Sequence, residues 1–198
     1  YLNNTDISSR KFATLGPKGT SSRHAAEKPA SHYPAQVELF DTYEEAAQTV
    51  TDNPENGALI VANAYARINR FYISHDLYPV GAFFNDTPAY VVASTSSEVL
   101  DRSSLCVATH PAPSHIIHGS IDHPDIRLVH VDSTHLAAKQ TFLGQCDACL
   151  TTQVAAEIFG LETLSVALPT IPMLWTVFIN NEYMKVEYGT ESCHHPVR

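Results

Sequence analysis

Leu15-Gly16-Pro17-Lys18-Gly19-Thr20-Ser21-Ser22 is the stretch on which the reading of this chain turns. It follows a short apolar run, Phe12-Ala13-Thr14-Leu15, and precedes an Ala-rich segment, Arg23 to Glu27, that reads as helix. Strand, Gly/Pro turn, hydroxyl cluster and helix, in that order, set backbone N–H groups and hydroxyls at a helix N-terminus. Such a terminus carries about half a positive charge and unsatisfied donors, so it suits a carboxylate or a phosphate. The alternative is an ordinary βα turn in which Thr20 or Ser21 simply caps the helix.

Outward from that turn the chain reads as alternating strands and helices. Val37 to Phe40 is a short strand. Thr42 with Glu45 three residues on has the capping-box spacing and starts a helix through Val50. Ala58-Leu59-Ile60-Val61-Ala62 is a continuous apolar run of strand length, as expected where both faces are covered, and it ends in Asn63-Ala64-Tyr65. Leu77 to Phe84 and Ala89 to Ala93 are further strands, separated by Asn85-Asp86-Thr87-Pro88. The pattern then begins again. Leu105 to Thr109 leads into His110-Pro111-Ala112-Pro113-Ser114 and a short helix, and Ile126 to Val131 leads into Asp132-Ser133-Thr134 and a helix from His135 to Phe142. Asp147 to Leu150 leads into Thr151-Thr152 and a helix through Ile158, with Gly160 at its C-cap. Thr163–Leu168 and Met173–Ile179 complete the strands. Open α/β sheets bind ligands at the carboxyl ends of their strands, so the turns at Thr20, Asn63, Ser133 and Thr151 draw attention together.

The chain has 198 residues, enough for one domain or two small lobes with a real core. No run approaches the roughly 20 apolar residues of a membrane span. The net charge of −9 argues against nucleic acid or an anionic membrane as partner. The four cysteines lack the density of a disulfide scaffold and point to a reducing, cytoplasmic setting. No signal-peptide pattern is visible in the sequence given.

Three segments carry a family resemblance. Leu15 to Thr20, followed by Ser22 and Ala25-Ala26, resembles the Gly-Pro-x-Gly-Thr-x-Ser signature that opens prephenate dehydratase catalytic domains. Ser133-Thr134 with Ala137-Ala138 resembles that family's Ser-Thr-x-x-Ala-Ala segment, and Ala155-Ala156 through Gly160-Leu161 its Ala-Ala-x-x-Tyr-Gly-Leu segment, with Phe159 in the aromatic place. The departures are equally specific. The dehydratase Thr-Arg-Phe stretch corresponds to Ile171-Pro172-Met173-Leu174-Trp175-Thr176-Val177-Phe178, without the Arg, and Pro-x-Glu-Asn-Ser is replaced by Val61-Ala62-Asn63-Ala64-Tyr65. Together with Asp86-Thr87-Pro88, His110-Pro111-x-Pro113 and Ile171-Pro172-Met173, these look like the prephenate decarboxylases of bacilysin and aeruginosin biosynthesis.

The resemblance implies an α/β, two-lobed fold like type II periplasmic binding proteins, with the active site in the inter-lobe cleft. Residues 11–87 with 165–186 would form the first lobe, 88–164 the second and 187–198 a flexible tail, with no regulatory amino-acid-binding domain. It also implies a cofactor-free, metal-free enzyme that decarboxylates prephenate without aromatising the ring, giving a dihydro-4-hydroxyphenylpyruvate. Oligomeric state is left open, a homodimer included.

That chemistry needs anion sites and a proton donor. Thr20, Ser21 and Ser22 are expected to hold one carboxylate, with Asn63, Ser133, Thr134, Thr151 and Thr152 as further substrate contacts; the competing role of the hydroxyls is capping. His110 and Tyr65 are the expected donors. His needs little tuning for work near neutrality, whereas a phenol starts about three pH units too high. His110 could instead cap beside its prolines, and Tyr65 could be a packed aromatic with a satisfied hydroxyl. Asp86 either orients a donor or forms its Asp-Thr-Pro turn, and Arg67 and Arg70 either meet substrate or are solvated.

Cys146-Asp147-Ala148-Cys149 has CxxC spacing, but it runs into a strand rather than opening a helix, and Cys106 and Cys193 read as isolated, so neither a redox motif nor a zinc site is expected. Cys193-His194-His195 lacks the second shell of a metal site, and His24 and His115 read as helix-face residues. Two other readings compete: a standalone prephenate dehydratase giving phenylpyruvate, and a non-catalytic sensor of small anions.

Overall fold

In a computed structural model of the chain, residues 11–32, 35–54 and 57–188 are described, the last four by backbone alone. From residue 189 onward the expected tail lies outside the described residues, and Cys193, His194 and His195 lie there with it. The chain divides into two units. Of the described residues, those within 11–16, 25–85 and 173–188 form the first, and those within 17–24 and 86–172 the second.

The first unit is built on a five-stranded sheet. β1 (Lys11–Leu15) pairs in parallel with β2 (Gln36–Phe40) on one side and β3 (Gly57–Ala62) on the other. β10 (Pro172–Asn180) lies antiparallel to β3, and β4 (Leu77–Asp86) follows it, giving the order β2-β1-β3-β10-β4. The continuous apolar run of β3 is explained by cover on both faces. Leu59 and Val61 pack with Ala46 and Val50 of helix α2 (Tyr43–Asp52), while Ala58 and Ile60 pack with Ala25 and Ala26 of helix α1 (Ser21–Ala30). α2 begins in the expected capping box, with the Thr42 hydroxyl accepting from the Glu45 amide at 3.1 Å and the Glu45 carboxylate accepting from the Thr42 amide at 3.2 Å. α1 runs past its expected end through Pro29. A one-turn helix, α3 (Asn69–Tyr72), had no signal in the sequence pattern.

In the second unit β5 (Tyr90–Ser94), β6 (Leu105–Thr109), β7 (Ile126–His130), β8 (Ala148–Thr152) and β9 (Glu162–Thr163) form a sheet of order β7-β6-β8-β5-β9. β6 is parallel to β7 and β8, and β5 runs antiparallel to β8. Successive residues again alternate between two cores. Ala108 and Cys149 face Ala137 and Ala138 of α4 (Thr134–Phe142) and Ala155 and Ala156 of α5 (Gln153–Ile158), whereas Val107 and Leu150 face Ile117 of a 3₁₀ turn. Gly160 ends α5 at φ +63°, the left-handed conformation expected of a C-cap. Helix α6 (Asn181–Tyr188) closes the described chain.

Two strand expectations change. β8 extends through Thr152, so Thr151 and Thr152 are its last residues rather than a following turn. The expected strand at Thr163–Leu168 shrinks to Glu162–Thr163 and an isolated bridge between Leu168 and Tyr90. Between them Ser165 Oγ accepts the Val92 amide, and Val166 points to solvent at 81% exposure. A side chain thus takes a bond that a regular ladder would give to backbone.

Candidate functional site

In the second unit the carboxyl ends of the parallel strands β6, β7 and β8 carry Thr109-His110, Val131-Asp132-Ser133 and Thr151-Thr152. Because β5 is antiparallel and Tyr90 pairs with Thr152, the start of β5 lies at this same edge. Four segments far apart in sequence therefore meet at one end of one sheet, the place where open α/β sheets bind ligands.

The opening turn joins them. Thr152 Oγ1 donates to the Gly19 carbonyl at 3.2 Å and accepts the Ala155 amide at 3.2 Å, so it both caps α5 and tethers the turn. Gly19 has φ +91°, and a Cβ there would lie 2.6 Å from Ile158 Cδ1. Thr20 Oγ1 donates to the Pro17 carbonyl and accepts the Arg23 amide at 3.3 Å, the geometry of an N-cap for α1. Ser133 Oγ caps α4 by accepting the Leu136 amide at 3.0 Å, and Thr134 begins that helix. Thr151 Oγ1, fully buried, donates to the Thr134 carbonyl at 2.7 Å. Thr20, Ser133 and Thr152 are thus all engaged as caps. What they hold in place at this edge are helix first turns, whose leading N–H groups have no partner within the helix.

Tyr90 is a residue the sequence reading missed. It is 4% exposed, and burial raises its pKa above the ordinary phenol value, with Ser21 on the first turn of α1 and Thr87 acting in the opposite direction. Ser22 is buried beside Ser21.

His110 is half-buried, and its Nδ1 accepts the Ala112 amide at 3.2 Å. That bond leaves Nε2 as the proton-bearing nitrogen of the neutral ring. Burial lowers the pKa of His110 below the ordinary histidine value; the charge of Asp132 opposes this and that of His130 adds to it.

The first unit brings other expected residues together. Asn63 follows β3 directly, and its amide donates to the Leu174 carbonyl at 2.9 Å, continuing the ladder beside β10. Its side-chain Oδ1 accepts from the buried Thr176 hydroxyl at 2.8 Å, and Thr176 Oγ1 lies 2.7 Å from the Tyr72 hydroxyl. Tyr65 packs against Tyr43 and Phe71, with ring centroids 4.8 and 6.2 Å away, and donates its hydroxyl proton to the Glu44 carboxylate at 2.9 and 3.0 Å. Burial and that carboxylate both raise the Tyr65 pKa. Arg70 donates to Glu44 at 3.2 Å, and Arg67 lies 3.7 Å from Glu44 with its guanidinium over the Tyr65 ring. Both arginines are thus paired within the protein.

No family model matches the chain. It is, however, 33% identical over 176 residues to a prephenate decarboxylase of Bacillus subtilis (strain 168), across 83% of this chain and 84% of that one. The chain belongs to the prephenate decarboxylase family. Among solved structures it resembles a prephenate dehydratase from Arthrobacter aurescens, with TM-score 0.66 and 16% identity over 86% of this chain and 60% of that one. It also resembles a putative methionine-binding lipoprotein from Bacillus subtilis, with TM-score 0.53 and 13% identity over 91% and 86% of the two chains. At those identities the likeness shows the fold, which is the dehydratase-like and binding-protein-like α/β fold expected from the sequence.

Within this member of the decarboxylase family, two sequence readings need adjustment. Cys106 is not isolated: its Sγ lies 3.4 Å from Cys146 Sγ, because β6 and the residues entering β8 are neighbours. Burial, with Cys106 beside it, pushes the Cys146 thiol up to about 12, so it stays protonated and unreactive. Trp175, one of the departures from the dehydratase pattern, is 1% exposed and donates Nε1–H to the Asn85 carbonyl at 3.1 Å, a core role. Among the described residues no cluster of three or more His, Cys, Asp or Glu is arranged to hold a metal ion, and no helix is long and apolar enough to cross a membrane. The cavity of about 170 Å³ lined by Lys11, Glu38, Thr49 and Gly57 opens where β1 and β3 begin, at the opposite end of the sheet from Asn63.

Proposed function

We propose that the chain is a carboxy-lyase that decarboxylates prephenate without aromatising the ring, giving a dihydro-4-hydroxyphenylpyruvate. The observation that supports this most directly is the one-third identity, over most of both chains, to a protein named prephenate decarboxylase. In the reaction the bond from the quaternary ring carbon to its carboxylate breaks. The released pair forms a new ring double bond, the neighbouring alkene shifts, and its far carbon takes a proton as CO2 leaves. The C4 hydroxyl stays. The alkene and the proton together accept the electron pair, so the chemistry calls for no electron-sink cofactor.

The chain's own groups fit that requirement. In the second unit, the first turns of α1 and α4, set by Thr20, Ser21, Ser22, Ser133 and Thr134, offer amides to a carboxylate, with Thr151 and Thr152 holding those turns in place. In the first unit Asn63 contributes an amide side chain to substrate. Of the two expected donors, His110 is favoured, since Tyr65 already gives its proton to Glu44 and its pKa is raised. A histidine with a lowered pKa is a stronger acid when protonated, and Nε2 is the atom that delivers the proton. The resemblance to bacilysin- and aeruginosin-type enzymes supports a place in natural-product biosynthesis in the cytoplasm.

Incubation with prephenate at neutral pH, followed by ultraviolet spectra and product mass, tests this reading. Loss of CO2 with the hydroxyl retained is expected. Phenylpyruvate would make the chain a dehydratase, and binding without turnover would make it a sensor. Single-turnover rates of His110→Ala and Tyr65→Phe then address the donor; if neither slows product formation, both assignments are wrong.

A further inference from the structure

We infer that Thr176 and Tyr72 are positioning residues: they fix the Asn63 side chain so that its Nδ2 hydrogens face outward as donors to a carboxylate of the substrate. This rests on the decarboxylase reading above and deepens it.

The argument is one of hydrogen-bond direction. The Thr176 hydroxyl has a single proton, which it donates to Asn63 Oδ1 at 2.8 Å. The 2.7 Å contact between Thr176 Oγ1 and the Tyr72 hydroxyl must therefore be made with the tyrosine proton. Thr176 is 3% exposed, so solvent does not compete for either bond. Tyr72 is itself 41% exposed, but its ring packs edge-on against Phe178 with centroids 5.0 Å apart, which fixes where its hydroxyl reaches. With Oδ1 engaged, the amide nitrogen is turned the other way, and among the described residues it has no hydrogen-bond partner. The main chain of Asn63 is clamped as well, by its bond to Leu174. The residue stands at the carboxyl end of β3, beside β10, which is the ligand-binding end of such a sheet.

Before an anion arrives, an unclamped Asn turns its carbonyl oxygen and its amide nitrogen outward with nearly equal ease, and only the nitrogen attracts an anion. The Tyr72–Thr176–Asn63 chain removes that ambiguity before substrate arrives.

Steady-state kinetics on prephenate with Thr176→Val tests the inference. The substitution keeps shape and removes the hydroxyl. KM should rise about tenfold, the loss of one oriented hydrogen bond, with kcat within about twofold, and Thr176→Ser should restore KM. Tyr72→Phe, at a partly exposed position, should raise KM by about threefold and carries the test if Thr176→Val does not fold. Wild-type turnover with unchanged KM in Thr176→Val, or in Tyr72→Phe where the former does not fold, overturns this inference and leaves the decarboxylase reading standing. So does a Thr176→Ser protein that behaves like Thr176→Val. A wild-type protein that neither binds nor turns over prephenate overturns both.

Discussion

Thr152 and Gly19, 133 positions apart, are joined by a 3.2 Å hydrogen bond from the threonine hydroxyl to the glycine carbonyl. The same oxygen accepts the Ala155 amide, so a single buried side chain starts α5 and anchors the turn that leads into α1. Thr152→Val keeps the volume and removes both bonds. It should cost about 1–3 kcal/mol in stability by chemical denaturation, the sum of a lost cap and an unsatisfied buried group. It should also weaken prephenate binding, because the α1 turn loses its tether. Thr152→Ser should recover most of both effects. Unchanged stability in Thr152→Val would show that the bond contributes nothing.

Gly19 meets two demands, and their sizes can be separated. A Cβ would come within 2.6 Å of Ile158 Cδ1, but Ile158 is 51% exposed and its flexible end can swing aside. The backbone at φ +91° has no such escape, and a non-glycine residue held there costs about 1–3 kcal/mol. Gly19→Ala should therefore lower the free energy of unfolding by that order, read from chemical denaturation. The double variant Gly19→Ala/Ile158→Ala should not regain it. Recovery in the double variant would show that crowding, rather than backbone strain, is what forbids a side chain there.

Local chemistry was what the sequence could display. The capping box at Thr42 and Glu45, the C-cap at Gly160 and the doubly buried run of β3 all follow from spacing within a few residues. The hydroxyl turns were legible as helix starts for the same reason. What the sequence could not display depends on strand order. β10 is inserted antiparallel beside β3, and only that pairing brings Thr176 to Asn63, 113 positions away. Tyr90 reaches Ser21 only because β5 runs against β8 with Tyr90 opposite Thr152. Cys106 and Cys146 meet through the β6–β8 pairing in the same way. A pattern with a period of two or 3.6 residues says which face is buried, but not which strand lies alongside.

The Glu44 cluster gives an acid-stability prediction. Burial alone would raise the Glu44 pKa, but the Tyr65 hydroxyl, the residue's own backbone amide, Arg67 and Arg70 outweigh it and hold the carboxyl below its ordinary value. A carboxyl whose pKa is lower folded than unfolded binds fewer protons in the folded state. Its contribution to stability is thus present above the unfolded pKa and is lost as pH falls through the folded one. Glu44→Gln should flatten that part of the stability–pH curve below about pH 4.5, the ordinary value for this group. Tyr65→Phe removes one of the holding bonds and should shift the loss to higher pH, at a cost near 1 kcal/mol at neutrality. An acid limb identical in wild type and Glu44→Gln would show that the cluster does not contribute.

His110 yields a prediction in which activity and stability move in opposite directions. Burial lowers its pKa below 6.5, with Asp132 opposing and His130 adding to the shift. If the imidazolium delivers the proton, kcat/KM falls as pH rises through that lowered pKa, up to tenfold per pH unit on the steep limb. Stability has the other sign. The folded state favours the neutral ring, so the unfolded chain binds more protons below about pH 6.5, and stability declines as pH falls through the folded pKa. Asp132→Asn removes the charge that holds the pKa up and should move the activity limb to lower pH. His110→Gln should abolish the limb and flatten the stability curve together. Profiles of kcat/KM and of the denaturation midpoint from pH 5 to 8, at constant ionic strength, read both at once. A limb that persists in His110→Gln would assign the proton to another group, and the buried phenol of Tyr90 would not be that group, because its pKa is raised rather than lowered.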